Sequence, residues 1–248
     1  MLLENTLINS NTKDETSLAE VYFMQAEELR LESNYKESID KYLHSILINK
    51  NNPAPYIGLA ISYKELKNYN KAISNLEKAN KLLPSTFLIQ KELALCNIIN
   101  GNFEDGIKYL MHSIKLKPDN IDIQMQLALV HEMIEEEDMA LMIYQKIIET
   151  NPEYLRAYIQ KATLYMHLED YINSAKLFKK VIKLDSNYYR AYLALGICYE
   201  KLGNKSGAKR FYKKYLALSS QSDNYEEISK RIYNLDTQKT ETNNLRII

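Results

Sequence analysis

The sequence predicts an all-α fold built from tandem antiparallel helical hairpins, and three observations carry that expectation. Pro84, Pro118 and Pro152 recur at a step of 34 residues. Small and bulky residues fall into columns at the same step. The 248 residues also include only six glycines and five prolines, and this scarcity of turn formers suits helices.

The prolines cut the chain into six windows: 19–52, 53–86, 87–120, 121–154, 155–188 and 189–222. Each is expected to hold two helices. The first places small Ala26 and Ser38 before Tyr42, and the second repeats this as Ala60, Ala72 and Leu76. In that second window Tyr56, Leu59, Ala60 and Tyr63 are spaced as one apolar helix face, and Ala72, Leu76 and Ala79 as another. The third window carries Ala94, Gly106 and Leu110, and the fourth Ala128, Ala140 and Tyr144. The fifth carries Ala162, Ser174 and Phe178, and the sixth Gly196, Ala208 and Tyr212. After them Tyr225, Ile228, Ile232 and Leu235 share one helical face, so 223–235 is expected to be a capping helix over the last hairpin. The polar segments 1–18 and 236–248 are expected to be mobile.

Packing explains the columns. Two helices of a hairpin approach closely only where a small residue faces the crossing and a large partner fills the space beside it. Proline then stops the second helix, because it lacks the amide the ladder needs and disfavours helical geometry in the residue before it.

In its aromatic, Leu, small, Tyr, Ala, bulky, Ala and Pro order, the second window resembles the tetratricopeptide repeats through Tyr56, Leu59, Ala60, Tyr63, Ala72, Leu76, Ala79 and Pro84. The sixth matches through Tyr192, Leu195, Gly196, Tyr199, Ala208 and Tyr212. The resemblance covers 19–222 and implies a right-handed superhelical solenoid with a concave groove lined by the first helix of each hairpin. Windows three and four depart from it: Gln90 and Gln124 replace the first aromatic, and Asn97 and His131 the later tyrosine.

The stretch HEMIEEEDMA, His131 to Ala140, has the look of a metal site. In register, however, Ala140 belongs to a small column, His131 takes the place of a core tyrosine, and Glu135 to Asp138 fall on the turn and first turn of the second helix. Carboxylates are favoured there by the helix dipole. No metal and no cofactor are expected. No phosphate loop, nucleophile elbow or HExxH occurs, so the chain is not expected to be an enzyme. Cys96 and Cys198 are the only cysteines and are expected to pack between helices in a reducing cytoplasm. The start, MLLENTLINSN, does not read as a signal peptide, and no apolar run is long enough to span a membrane.

The family register assigns groove positions to Ile57, Ile61, Lys91, Leu95, Met125 and Leu129, and further along to Arg156, Ile159, Arg190 and Leu193. That groove is apolar with a few cations. The expected function is a protein-protein interaction scaffold or adaptor that binds a peptide or helix of a partner. Alternatives are a secretion or pilus-assembly chaperone shielding a client subunit, and a regulatory subunit of an enzyme complex. Formal net charge is zero, but Lys176, Lys179 and Lys180 align with Arg210, Lys213 and Lys214 as a possible ridge for an anionic partner. The tyrosines mostly occupy packing columns, so no nucleic-acid partner is expected.

Overall fold

A computed structural model describes residues 2–219 and 224–244, with side chains for 17–219, 224–235 and 237. The described residues form thirteen helices and no strand. They divide into two compact units, Met1–Val130 and His131–Ile248. Unit 1 holds α1 (Leu2–Leu31), α2 (Tyr35–Ile48), α3 (Pro53–Glu65), α4 (Tyr69–Leu82), α5 (Phe87–Ile99), α6 (Phe103–Leu116) and most of α7 (Ile121–Met133). Unit 2 begins in the last turn of α7 and holds α8 (Glu137–Thr150), α9 (Leu155–His167), α10 (Tyr171–Leu184), α11 (Tyr189–Lys201), α12 (Lys205–Leu218) and α13 (Tyr225–Asn244). Helices α1 and α13 extend past the boundaries read from the sequence, into 1–18 and 236–248. Residues 245–248 lie outside the described residues.

The columns do the packing expected of them. Ala26, Ala60, Ala94, Ala128, Ala162 and Gly196 are all buried, as are Ser38, Ala72, Gly106, Ala140, Ser174 and Ala208. The bulky column, Tyr42, Leu76, Leu110, Tyr144, Phe178 and Tyr212, is closed to solvent as well. The fit leaves no room: a Cβ built on Gly196 would lie 2.3 Å from the Tyr212 ring, and one on Gly106 would lie 2.6 Å from Ile98. In unit 1 these residues found three clusters, around Tyr42 and Leu59, around Leu76 and Leu93, and around Leu110 and Val130. In unit 2 one cluster runs from Tyr158 to Leu235, so α13 covers the last hairpin with Ile228 and Leu235 while Tyr225 is left exposed. Cys96 and Cys198 are buried free thiols. Cys198 donates to Ser174 Oγ at 3.4 Å, as Ser62, 136 residues earlier in register terms equal to four repeats, meets Ser38 at 2.9 Å.

A second periodicity governs the turn inside each hairpin. Ser33, Lys67, Gly101, Glu135, Glu169 and Gly203 all have left-handed backbone, with φ from 60° to 84°. The amide of the next residue then bonds back to the carbonyl five residues earlier, as Glu136 N–H does to His131 O at 2.9 Å and Asn68 N–H to Tyr63 O at 2.8 Å. This closes the first helix with a Schellman turn. The same residue opens the second helix: the side chains of Asn68, Asp170 and Asn204 accept from the backbone amides of Lys71, Asn173 and Gly207.

Four of the six left-handed positions carry a side chain, which costs about 1–2 kcal/mol in that conformation, while glycine gives back about 0.5–1 kcal/mol through its freer unfolded chain. Glu135 is exposed and ties nothing else down. Glu135→Gly is therefore expected to raise stability by about 0.5–1 kcal/mol, read as a higher urea midpoint by circular dichroism. An unchanged or lower midpoint would contradict this account of the turn.

Candidate functional site

The acidic stretch resolves into structural contacts. His131 is buried, and its Nδ1 lies 2.7 Å from Glu136 Oε2. Glu136 occupies the cap position of α8, yet its side chain makes no cap bond there because it is turned to the histidine. Among the described residues no group of three or more His, Cys, Asp or Glu is placed to hold a metal ion.

Glu132, another carboxylate of that stretch, accepts a hydrogen bond from the hydroxyl of buried Tyr144. The same pairing recurs in the other two windows with tyrosine in the bulky column. Tyr212 donates to Glu200 at 2.5 Å, and Arg231 of α13 reaches that carboxylate at 3.6 Å. Tyr42 donates to Glu27, which also takes two bonds from Arg30. Local charge sets opposite signs. At Glu27 burial acts to raise the carboxyl, but the bonds from Arg30 and Tyr42 and the Arg30 charge outweigh it, so its pKa falls below the ordinary value. At Glu132 burial dominates over the Tyr144 bond and the His167 charge, and the pKa is raised.

The inter-hairpin loops are anchored in a similar way. Tyr158 and Tyr192 donate to the carbonyls of Pro152 and Ser186 at 3.0 and 3.1 Å. Gln124, in the same register position, donates its amide to Pro118 O at 2.6 Å. The glutamine thus keeps the hydrogen bond and gives up only the ring.

A cleft of about 530 Å³ opens in unit 2 along the first helices of its last two hairpins. Ile159, Thr163 and Met166 of α9 face Arg190, Leu193 and Ile197 of α11 across it. Tyr189 and Tyr215, with ring centroids 5.9 Å apart, form an aromatic wall beside Tyr188. The Thr163 hydroxyl is spent on Ile159 O at 2.9 Å. Arg190 is exposed. The cleft is an apolar trough with one cation at its rim, which suits binding rather than bond making.

The sequence profile of the tetratricopeptide repeat matches residues 54–86, 92–120, 155–188 and 189–222, more than half of the chain. The chain belongs to the tetratricopeptide repeat family. No curated protein sequence matches it significantly over its length. Among solved structures, the C-terminal part of a tetratricopeptide repeat protein from Cytophaga hutchinsonii aligns with a TM-score of 0.76 at 18% identity, over 88% of this chain and 90% of that one. MamA aligns with a TM-score of 0.60 at 23% identity, over 66% and 96%. YrrB, described as a TPR protein with an unusual peptide-binding site, aligns with a TM-score of 0.59 at 18% identity, over 76% and 97%. At these identities the likeness is one of fold.

Within these tetratricopeptide repeats the structure brings Ile159, Arg190 and Leu193 together in the cleft, while Arg156 stands exposed on α9 outside its lining. In unit 1 Ile57, Ile61, Lys91, Leu95 and Leu129 are half-buried, but Met125 is only 1% exposed and belongs to the packing. Tyr188, Tyr189 and Tyr215 were not legible as site residues, since none occupies a groove position; the only signal was the tyrosine pair itself. The basic residues have different neighbours. Lys179 lies over Tyr199 at 5.2 Å, Lys180 over Tyr158 at 5.9 Å, and Lys176 donates to Asn173 at 3.2 Å, whereas Arg210, Lys213 and Lys214 share one hollow. No described helix is long and apolar enough to cross a membrane.

The two half-buried carboxyls give a paired test. A carboxyl with a lowered pKa contributes stability that is present above its unfolded pKa and is lost as pH falls through the folded one; a raised pKa reverses this. Glu27→Gln is expected to lower stability at neutral pH, with the gap to the parent closing on acidification. Glu132→Gln, which still accepts from Tyr144, is expected to raise stability at neutral pH, again with the gap closing in acid. Urea unfolding across a pH series measures both, and equal signs for the two variants would refute the assignment.

Proposed function

We propose that this chain is a non-catalytic protein-protein interaction scaffold or adaptor, cytoplasmic, that holds an extended or helical segment of a partner against the first helices of its hairpins. The observation that carries the reading is the cleft of unit 2. Ile159, Met166, Leu193 and Ile197 offer a trough for apolar side chains, and Arg190 at its rim supplies a donor that fixes the segment's direction. Rigid tyrosine rings at one wall add contact area at little cost in side-chain entropy. The repeats themselves are generally non-catalytic modules. YrrB, a neighbour in fold, is described as having a peptide-binding site, which supports the same use here. In unit 1 Ile57, Ile61, Leu95 and Leu129 hold the corresponding register positions, and we assign them the same kind of contact, with Lys91 as the accompanying cation.

Panning the full chain against a displayed peptide library tests this. Selected peptides should carry apolar anchors, and Ile159→Asp with Leu193→Asp should weaken them by at least about tenfold, since losing a buried anchor commonly costs more than about 1 kcal/mol. An unchanged affinity in a variant that keeps its helical spectrum would contradict the proposal.

A further inference from the structure

The outer side of α12 concentrates positive charge. Lys205, Lys209, Arg210, Lys213 and Lys214 follow one another along it, and Lys205 with Lys209, Lys209 with Lys213, and Arg210 with Lys214 are like-charged pairs one turn apart. Such pairs weaken a helix by about 0.2–0.5 kcal/mol each. Two adjoining hollows form around these residues. One, of about 710 Å³, is lined by Lys205, Lys209, Arg210 and Lys213 with Leu235 of α13. The other, of about 460 Å³, sets Arg210, Lys213 and Lys214 beside Tyr192, Phe211 and Ala217. They share Arg210 and Lys213, neither lining contains a carboxylate among the described residues, and neither shares a described residue with the cleft above.

We propose that these hollows form a second docking surface, which takes an acidic polypeptide segment whose carboxylates alternate with apolar side chains. Charge complementarity selects the acid, and exposed Ala217 with the aliphatic stems of Lys213 and Lys214 gives the apolar side chains a surface to lie on. Nucleic acid is disfavoured because base stacking needs open ring faces, and Tyr192 and Phe211 are 8% and 7% exposed. A membrane surface is disfavoured for a related reason: rings so deeply packed cannot insert between headgroups. Of the cations aligned by sequence, Arg210, Lys213 and Lys214 belong to this surface and Lys205 and Lys209 join them, while Lys176, Lys179 and Lys180 contribute to the local field alone. The proposal stands apart from the use of the cleft.

The test is fluorescence anisotropy of the full chain with a short labelled peptide in which Glu alternates with Leu, against the same peptide with Gln in place of Glu. The acidic peptide should bind at least about tenfold tighter, and its affinity should fall as salt rises. Changing Lys205, Lys213 and Lys214 together to Glu should remove that preference, while Ile159→Asp in the cleft should leave it intact. If the triple charge reversal fails to fold by circular dichroism, the triple change to Gln should still reduce the preference. Equal affinity for the two peptides, an unaffected triple variant, or tighter binding to a thymidine oligonucleotide or to phosphatidylserine vesicles would overturn the proposal.

Discussion

In each unit a hairpin closes on the same kind of contact, a residue no larger than serine set against a ring or a branched aliphatic side chain of the partner helix, as Gly106 meets Ile98 and Gly196 meets Tyr212. Gly196 against Tyr212 shows how tight the contact is, since even a methyl group on the glycine would overlap the ring. Burying a side chain of that size contributes about 1.5–3 kcal/mol, and a misfit of a single carbon is felt because the interior is packed as densely as a crystal. The contact also fixes how far apart the two helices lie. From that spacing follow the positions of the first helices, the trough between α9 and α11, and the placement of α13 over the last hairpin.

The same constraint explains what the sequence disclosed. A contact that limits side-chain volume leaves its mark on residue identity, so the small and bulky columns were legible across all six windows. The turns left no such mark. Left-handed geometry at Ser33, Lys67, Glu135 and Glu169 is held by backbone bonds that any residue can make, so the absence of glycine there hid a feature that is present six times. Gln124 is a similar case, for it looks like a lost aromatic and yet preserves the loop anchor of Tyr158 and Tyr192. The aligned lysines carry contacts that their alignment alone does not show: Lys179 lies over Tyr199 and Lys180 over Tyr158.

Polar groups specify the hairpins without driving their closure. Tyrosine in the bulky column brings a hydroxyl to the edge of the core, and each of the three finds a glutamate there. Such a bond costs little when made and much when left unmade, so it favours one register of helix against helix. What differs among the three is the neighbour: the guanidinium of Arg30 at Glu27, that of Arg231 at Glu200, and, among the described residues, no arginine paired with Glu132. In unit 2 the polarity of the surface is divided as well, with an apolar cleft along α9 and α11 and a basic pair of hollows along α12.

The most direct measurement of the central contact is a double-mutant cycle between Gly196→Ala and Tyr212→Leu, followed by urea unfolding. The close fit predicts that Gly196→Ala alone costs about 1–3 kcal/mol through overpacking, despite the better helix propensity of alanine. It predicts also that most of this cost disappears in the Tyr212→Leu background, a coupling of at least about 1 kcal/mol. Additive effects, or a stabilising Gly196→Ala, would show that the small column does not set the approach of the helices.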